Sequence, residues 1–131
     1  MIAIDTNVLV RLFVYDDLEQ TKKVRELFDA YADEAQSLWV SDIVLIELAW
    51  VLKRSYSVSA SEIHNALQAL TNNSTVFIES NSYMAEALAL YKQGPAGFAD
   101  CLLAVKADHA GCDALRTFDK KMKVLPGVKL L

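Results

Sequence analysis

The chain has 131 residues, 53% of them hydrophobic, with 17 acids against 13 bases and a formal net charge of −4. That length supports a single domain over residues 1–131 with a real core, since a chain of this size buries roughly two thirds of its unfolded surface. The acidic balance argues against a general basic nucleic-acid-binding module, no apolar run approaches the ~20 residues of a membrane span, and no basic n-region with a cleavage site suggests secretion. The expectation is a cytoplasmic protein with no membrane contact. Cys101 and Cys112 lack CxxC spacing and read as reduced core residues, with neither a disulfide nor zinc.

Residues 2–5 read as a short buried strand ending on Asp5, and "TNVLVRLFV" as the helix after it. In residues 18–35, Leu18, Val24, Leu27, Phe28, Tyr31 and Ala35 recur near i, i+3, i+4 spacing, an amphipathic helix. "SLWV" is a strand. "SDIVLIELAWVLKR" opens on cap-type residues and closes on Lys53 and Arg54, which suit a helix C-terminus. In "SASEIHNALQALTN", Ser59 and Glu62 form a capping box. "STVFIES" is a strand, "NSYMAEALALYKQG" a helix closed by Gly94, "GPAG" a turn, and "FADCLLAVKADHAG" a helix closed by Gly111. "DALRTF" is a strand, "DKKMKVL" a short helix or turn, and "VKLL" a last strand. Strands alternating with helices predict an α/β fold, a three-layer α/β/α sandwich around a mostly parallel sheet. In such sheets ligand sites lie at the carboxyl ends of the strands.

Acids stand out at informative places. Asp5 ends the first strand, Asp119 follows the strand "ALRTF", and Asp100 sits in the first turn after "GPAGF". Glu47 is the only charged residue of "IVLIELAWVL", on a helix that reads as apolar nearly all round and therefore buried. Each also has a plain structural reading. Asp5 and Asp119 are suited to cap the helices after them, and Asp100 to complement a helix N-terminus. A buried Glu47 would pair with Arg11 or Arg116. Together the acids point elsewhere. With strand 1 central, neighbouring strand ends converge and the four carboxylates meet in one pocket. Four such groups repel one another unless a cation is present. Oxygen ligands without His or Cys select a hard ion, Mg²⁺ or Mn²⁺. Such an ion suits phosphodiester hydrolysis. Setting these four acids aside leaves as many acids as bases, so net charge does not exclude a nucleic-acid substrate.

"IDTNVLVR", "IVLIELAWVLKR", "GFADCLLAV" and "TFDKKM", in this order, resemble the PIN-domain ribonucleases, and most of all the VapC toxins of type II toxin–antitoxin modules. The resemblance covers essentially the whole chain. It implies a Mg²⁺- or Mn²⁺-dependent endoribonuclease that leaves 5′-phosphate ends, with Asp5, Glu47, Asp100 and Asp119 as catalytic and metal-binding acids. Asp5 and Asp100 would touch the ion directly, Glu47 and Asp119 directly or through water. Asn7 and Thr117 would orient waters or carboxylates, with Thr6 as a supporting neighbour; local capping is the competing reading. Arg11, Lys120, Lys121 and Lys123 would hold RNA phosphates, or form a solvated charge run. The resemblance further implies a homodimer and a VapB-type antitoxin whose basic side chain enters the acidic site.

Other readings fit less well. His64 and His109 are isolated on predicted helices without a partnered nucleophile. Trp39, Trp50 and Tyr56 read as core or interface residues in preference to base-stacking platforms. A haloacid-dehalogenase-type phosphatase needs a second Asp where Asn7 stands, a receiver needs an early acidic pair, and no GxGxxG follows the first strand. The alternative that remains is a non-catalytic PIN-like module that binds nucleic acid or a protein partner.

Overall fold

The computed structural model describes residues 1–131. The chain divides into two compact units, Met1–Asn81 and Ser82–Leu131.

The first unit runs β1 (Ile2–Ala3), α1 (Thr6–Phe13), α2 (Leu18–Ala30), β2 (Leu38–Val40), α3 (Asp42–Tyr56), α4 (Ala60–Asn72) and β3 (Val76–Ile78). Its strands form one parallel sheet in the order β1-β2-β3, with Ile2 opposite Leu38 and Leu38 opposite Val76. Parallel strands need long crossovers, and here each is a pair of helices. Strands buried on both faces read as continuous apolar runs, as "LWV" and "VFI" do. The core gathers Leu9, Leu38, Val40, Leu45, Leu48, Leu52, Ile63, Leu67 and Ile78, all nearly inaccessible to solvent.

Most of this order follows the sequence expectation, including two helices between the second and third strands. Several details differ. Strand β1 lies at the edge of its sheet and β2 is central. Helix α2 stops at Ala30, so Tyr31 and Ala35 lie beyond it. Its Leu18 is 76% exposed, because it is the first helical residue and precedes the buried stripe that begins at Thr21. Helix α3 is not buried all round. Leu45, Leu48 and Leu52 are buried on one face, but Ile43 and Trp50 are 74% and 56% exposed on another. Apolar identity does not force burial.

The second unit follows a 3₁₀ turn at Asn81–Tyr83. It contains α5 (Met84–Gln93), α6 (Phe98–His109), β4 (Leu115–Thr117), a 3₁₀ helix (Lys120–Val124) and β5 (Val128–Leu130). Strands β4 and β5 form a separate parallel pair, Leu115 opposite Val128. All strand pairing is thus parallel, as expected, but it is divided between two sheets. Gly94 caps α5 at φ +60°, a region open to glycine at little cost. Ala96, Cys101, Ala104, Met122 and Leu125 pack together, with Leu90, Tyr91, Leu115 and Val128 against them. Both cysteines are free. Cys101 is buried as expected, whereas Cys112 is exposed in the turn after α6. His109 is not isolated: its Nε2 lies 3.1 Å from Glu86 Oε1, and its ring stacks on Tyr83 at 4.6 Å.

No helix is long and apolar enough to cross a membrane.

Candidate active site

Asp5 and Glu47 belong to the first unit, Asp100 and Asp119 to the second. Strand β1 ends just before Asp5, whose extended backbone makes it the N-cap of α1. Its Oδ1 accepts a hydrogen bond from the Thr6 amide at 2.7 Å, and its main-chain carbonyl accepts from Val8 and Leu9. Asp5 is exposed, so it escapes the desolvation cost that the end of a buried strand would impose. Capping engages one carboxylate oxygen and leaves the other free for a ligand. Thr6 is 4% exposed, and its Oγ1 is buried without a hydrogen-bond partner. Asn7 is exposed on the first turn.

Glu47 lies on α3, and the structure corrects its expected environment. It is exposed, because the buried face of α3 is the Leu45, Leu48 and Leu52 row. The salt bridges considered for it do not form. The Arg11 guanidinium instead pairs with Asp16 and donates to the Tyr56 hydroxyl at 3.3 Å. Arg116 donates to the Leu130 carbonyl at 3.3 Å.

Asp100 and Asp119 are brought together. Asp100 is half-buried in the first turn of α6, after Gly97 as N-cap. Burial pushes its pKa above the ordinary carboxylate range, and the negative charge of Asp119 pushes it further. A neighbouring cation would lower the cost of holding both carboxylates ionised. Asp119 Oδ1 accepts from the Lys121 amide at 2.9 Å and so caps the 3₁₀ helix. Thr117 Oγ1 accepts from the Asp119 amide at 3.0 Å, which fixes the backbone that carries the acid. The local capping reading therefore describes Thr117, although the effect is to position Asp119. Next to Asp100, burial and then the Asp100 charge push the Cys101 thiol to about 11, so it is an inert core residue. Lys120, Lys121 and Lys123 are exposed on the 3₁₀ helix.

The sequence reading did not single out Asp42, Glu79 and Ser80. Asp42 follows β2, is 8% exposed, and its Oδ2 accepts from the Ser80 hydroxyl at 2.6 Å. Glu79, just after β3, accepts from the Asp42 amide at 2.9 Å. These bonds tie the carboxyl ends of β2 and β3. The available signal is position alone, polar residues directly after a strand, and in the sequence Asp42 reads as one of the cap-type residues that open the helix. In neither unit do three or more His, Cys, Asp or Glu side chains gather as a preformed metal cage. A groove of about 440 Å³ between Tyr15 and α2, lined by Leu18, Thr21 and Arg25, is touched by none of the four acids.

The donor chemistry suits a hard divalent ion. Within the second unit Asp100 and Asp119 supply only carboxylate oxygens, and the load that burial and the Asp119 charge place on Asp100 is the kind a cation relieves.

A family model, the PIN domain, matches residues 2–128, a span that includes all four acids. No curated protein matches the chain.

Proposed function

The chain belongs to the PIN-domain family and has its three-layer α/β/α, nuclease-type fold, and from that premise we propose that it is a Mg²⁺- or Mn²⁺-dependent endoribonuclease of the VapC toxin type. Asp5, Glu47, Asp100 and Asp119 are the acids that serve the ion. The observation that carries this reading is the half-buried Asp100, whose pKa is raised first by burial and then by the negative charge of Asp119, a load that a bound cation would relieve. When bound, the ion supplies positive charge for the phosphoryl oxygens and an acidified water. The chain's own residues do the positioning. The Thr6 amide fixes one oxygen of Asp5. The Thr117 hydroxyl and the Lys121 amide fix Asp119. Lys120 and Lys121 are exposed and would meet phosphates from solvent, and Arg11 would do so on release from Asp16. A second copy of the chain, a VapB-type antitoxin and a cytoplasmic setting are the partners and place this reading implies.

The test is cleavage of a labelled, structured RNA pool in Mg²⁺ by wild type and Asp5→Asn, with the product ends mapped. Metal-dependent cleavage with 5′-phosphate ends, abolished by Asp5→Asn, is the expected result. Folded wild type that binds RNA without cutting it would instead favour the non-catalytic binding module.

A further inference from the structure

Helix α3 presents a second feature on the face that carries Glu47. Ile43, Glu47, Trp50 and Arg54 are spaced four, three and four residues apart, so they share one stripe of the helix. All four are exposed, whereas Leu45, Leu48 and Leu52 bury the other side. The Trp50 indole is 56% exposed. An exposed indole has a large apolar ring to cover, and the group set against it here is a cation: the Arg54 guanidinium carbon lies 5.1 Å from the ring centroid. Lys53 is exposed beside it in the last helical turn.

We propose that Trp50 and Arg54 form a base-stacking subsite for single-stranded RNA on the Glu47 face of α3. The proposal rests on the nuclease reading and names how its substrate is held. An aromatic ring beside a guanidinium is the element with which sequence-tolerant single-strand binders hold a base and its phosphate. The positive charges of Lys53 and Arg54 complement the RNA backbone. A protein partner suits the stripe less well. Glu47 stands between Ile43 and Trp50 without an ion pair, and a dry helix–helix contact would bury that carboxylate at a cost. A stacked base covers the ring and leaves Glu47 to the ion. Helical rise puts Trp50 about 4.5 Å along the axis from Glu47, so a base stacked on the ring belongs to a nucleotide at or next to the one that Glu47 meets. Because every base has a π-face but a paired base does not offer it, the subsite selects unpaired RNA over duplex with little preference among bases.

The experiment compares wild type, Trp50→Ala, Trp50→Phe and Arg54→Gln, each as the full chain. Anisotropy of a short fluorescein-labelled single-stranded RNA in EDTA gives Kd, and cleavage in Mg²⁺ gives kcat and KM. Trp50→Ala is expected to raise Kd and KM roughly five- to hundredfold with kcat nearly unchanged. Trp50→Phe recovers most of that loss, and Arg54→Gln weakens binding while flattening its salt dependence. A folded Trp50→Ala with wild-type Kd and KM overturns the subsite and leaves the nuclease standing. So does a Trp50→Ala that changes sedimentation from dimer to monomer without changing RNA affinity, which assigns the ring to a protein interface. Wild type that neither binds nor cleaves RNA overturns the nuclease reading, and the subsite falls with it.

Discussion

At the scale of the residue, Asp100 carries the clearest electrostatic consequence. Burial first, and then the charge of Asp119, raises its pKa in the folded chain. The folded state therefore holds that proton more tightly than the unfolded state does. Stability falls with pH wherever the native state binds more protons. The protonated group thus contributes fully below its unfolded value, and the contribution is lost as pH rises through the higher folded value. Asp100→Asn is neutral at every pH, so it is expected to melt above wild type at neutral pH, with the difference vanishing in acid. Mg²⁺ held by this pair, as proposed, would offset the same load, so it is expected to raise the wild-type Tm more than that of the variant. Melting curves at two pH values, with and without Mg²⁺, check both. A variant that melts at or below wild type at neutral pH would show that the pair is not under electrostatic load. This pairing was legible from the sequence only as two acids near predicted strand and helix ends. Glu47 shows the limit of such reading. The identities around it, "IVLIELAWVL", are those of a buried helix, yet Glu47 faces solvent. Which apolar residues remain uncovered is decided by neighbours far away in the chain.

At the scale of the element, the helix caps separate folding from chemistry. Asp5 caps α1 through the Thr6 amide, and Asn caps about as well as Asp, whereas losing a cap to Ala costs about 1 kcal/mol. Asp5→Asn is therefore expected to leave the Tm nearly unchanged while removing metal-dependent cleavage, and Asp5→Ala to lower both stability and activity. Thermal melts beside cleavage assays check this. Equal loss of stability in both variants would mean that the Asp5 charge itself supports the fold. Caps were also where the sequence was most readable. Ser59 caps α4, accepting from the Glu62 amide at 3.2 Å, which is one half of the expected capping box, since the Glu62 carboxylate makes no return bond, and Gly94 closes α5. These signals are local and act through the backbone within a turn or two. The end of α2 was less readable, because the apolar spacing continues through Tyr31 and Ala35 after the helix has stopped at Ala30.

At the scale of the whole molecule, the order of strands and helices was legible because the period of the apolar residues changes at each boundary. Sheet order was not. Strands of two or three residues carry too few side chains to specify their neighbours, and edge and central parallel strands have similar composition. Net charge is also a whole-chain property, and at −4 it opposes RNA at long range. Binding must then draw on local positive charge as well as on the ion. Lys120, Lys121 and Lys123 lie exposed on one 3₁₀ helix directly after Asp119, where their charge would act on a phosphate approaching that acid. Each phosphate contact to a single strand contributes about 0.7 to the slope of log K against log salt. Replacing all three lysines with glutamine is therefore expected to flatten that slope by about 2 and to weaken binding most at low salt. The loss should be uniform across RNA sequences, because phosphate contacts carry no base information. Anisotropy titrations over a range of salt concentrations measure it. An unchanged slope would make the lysines a solvated charge run, and would leave α3 and the ion to bring in the RNA.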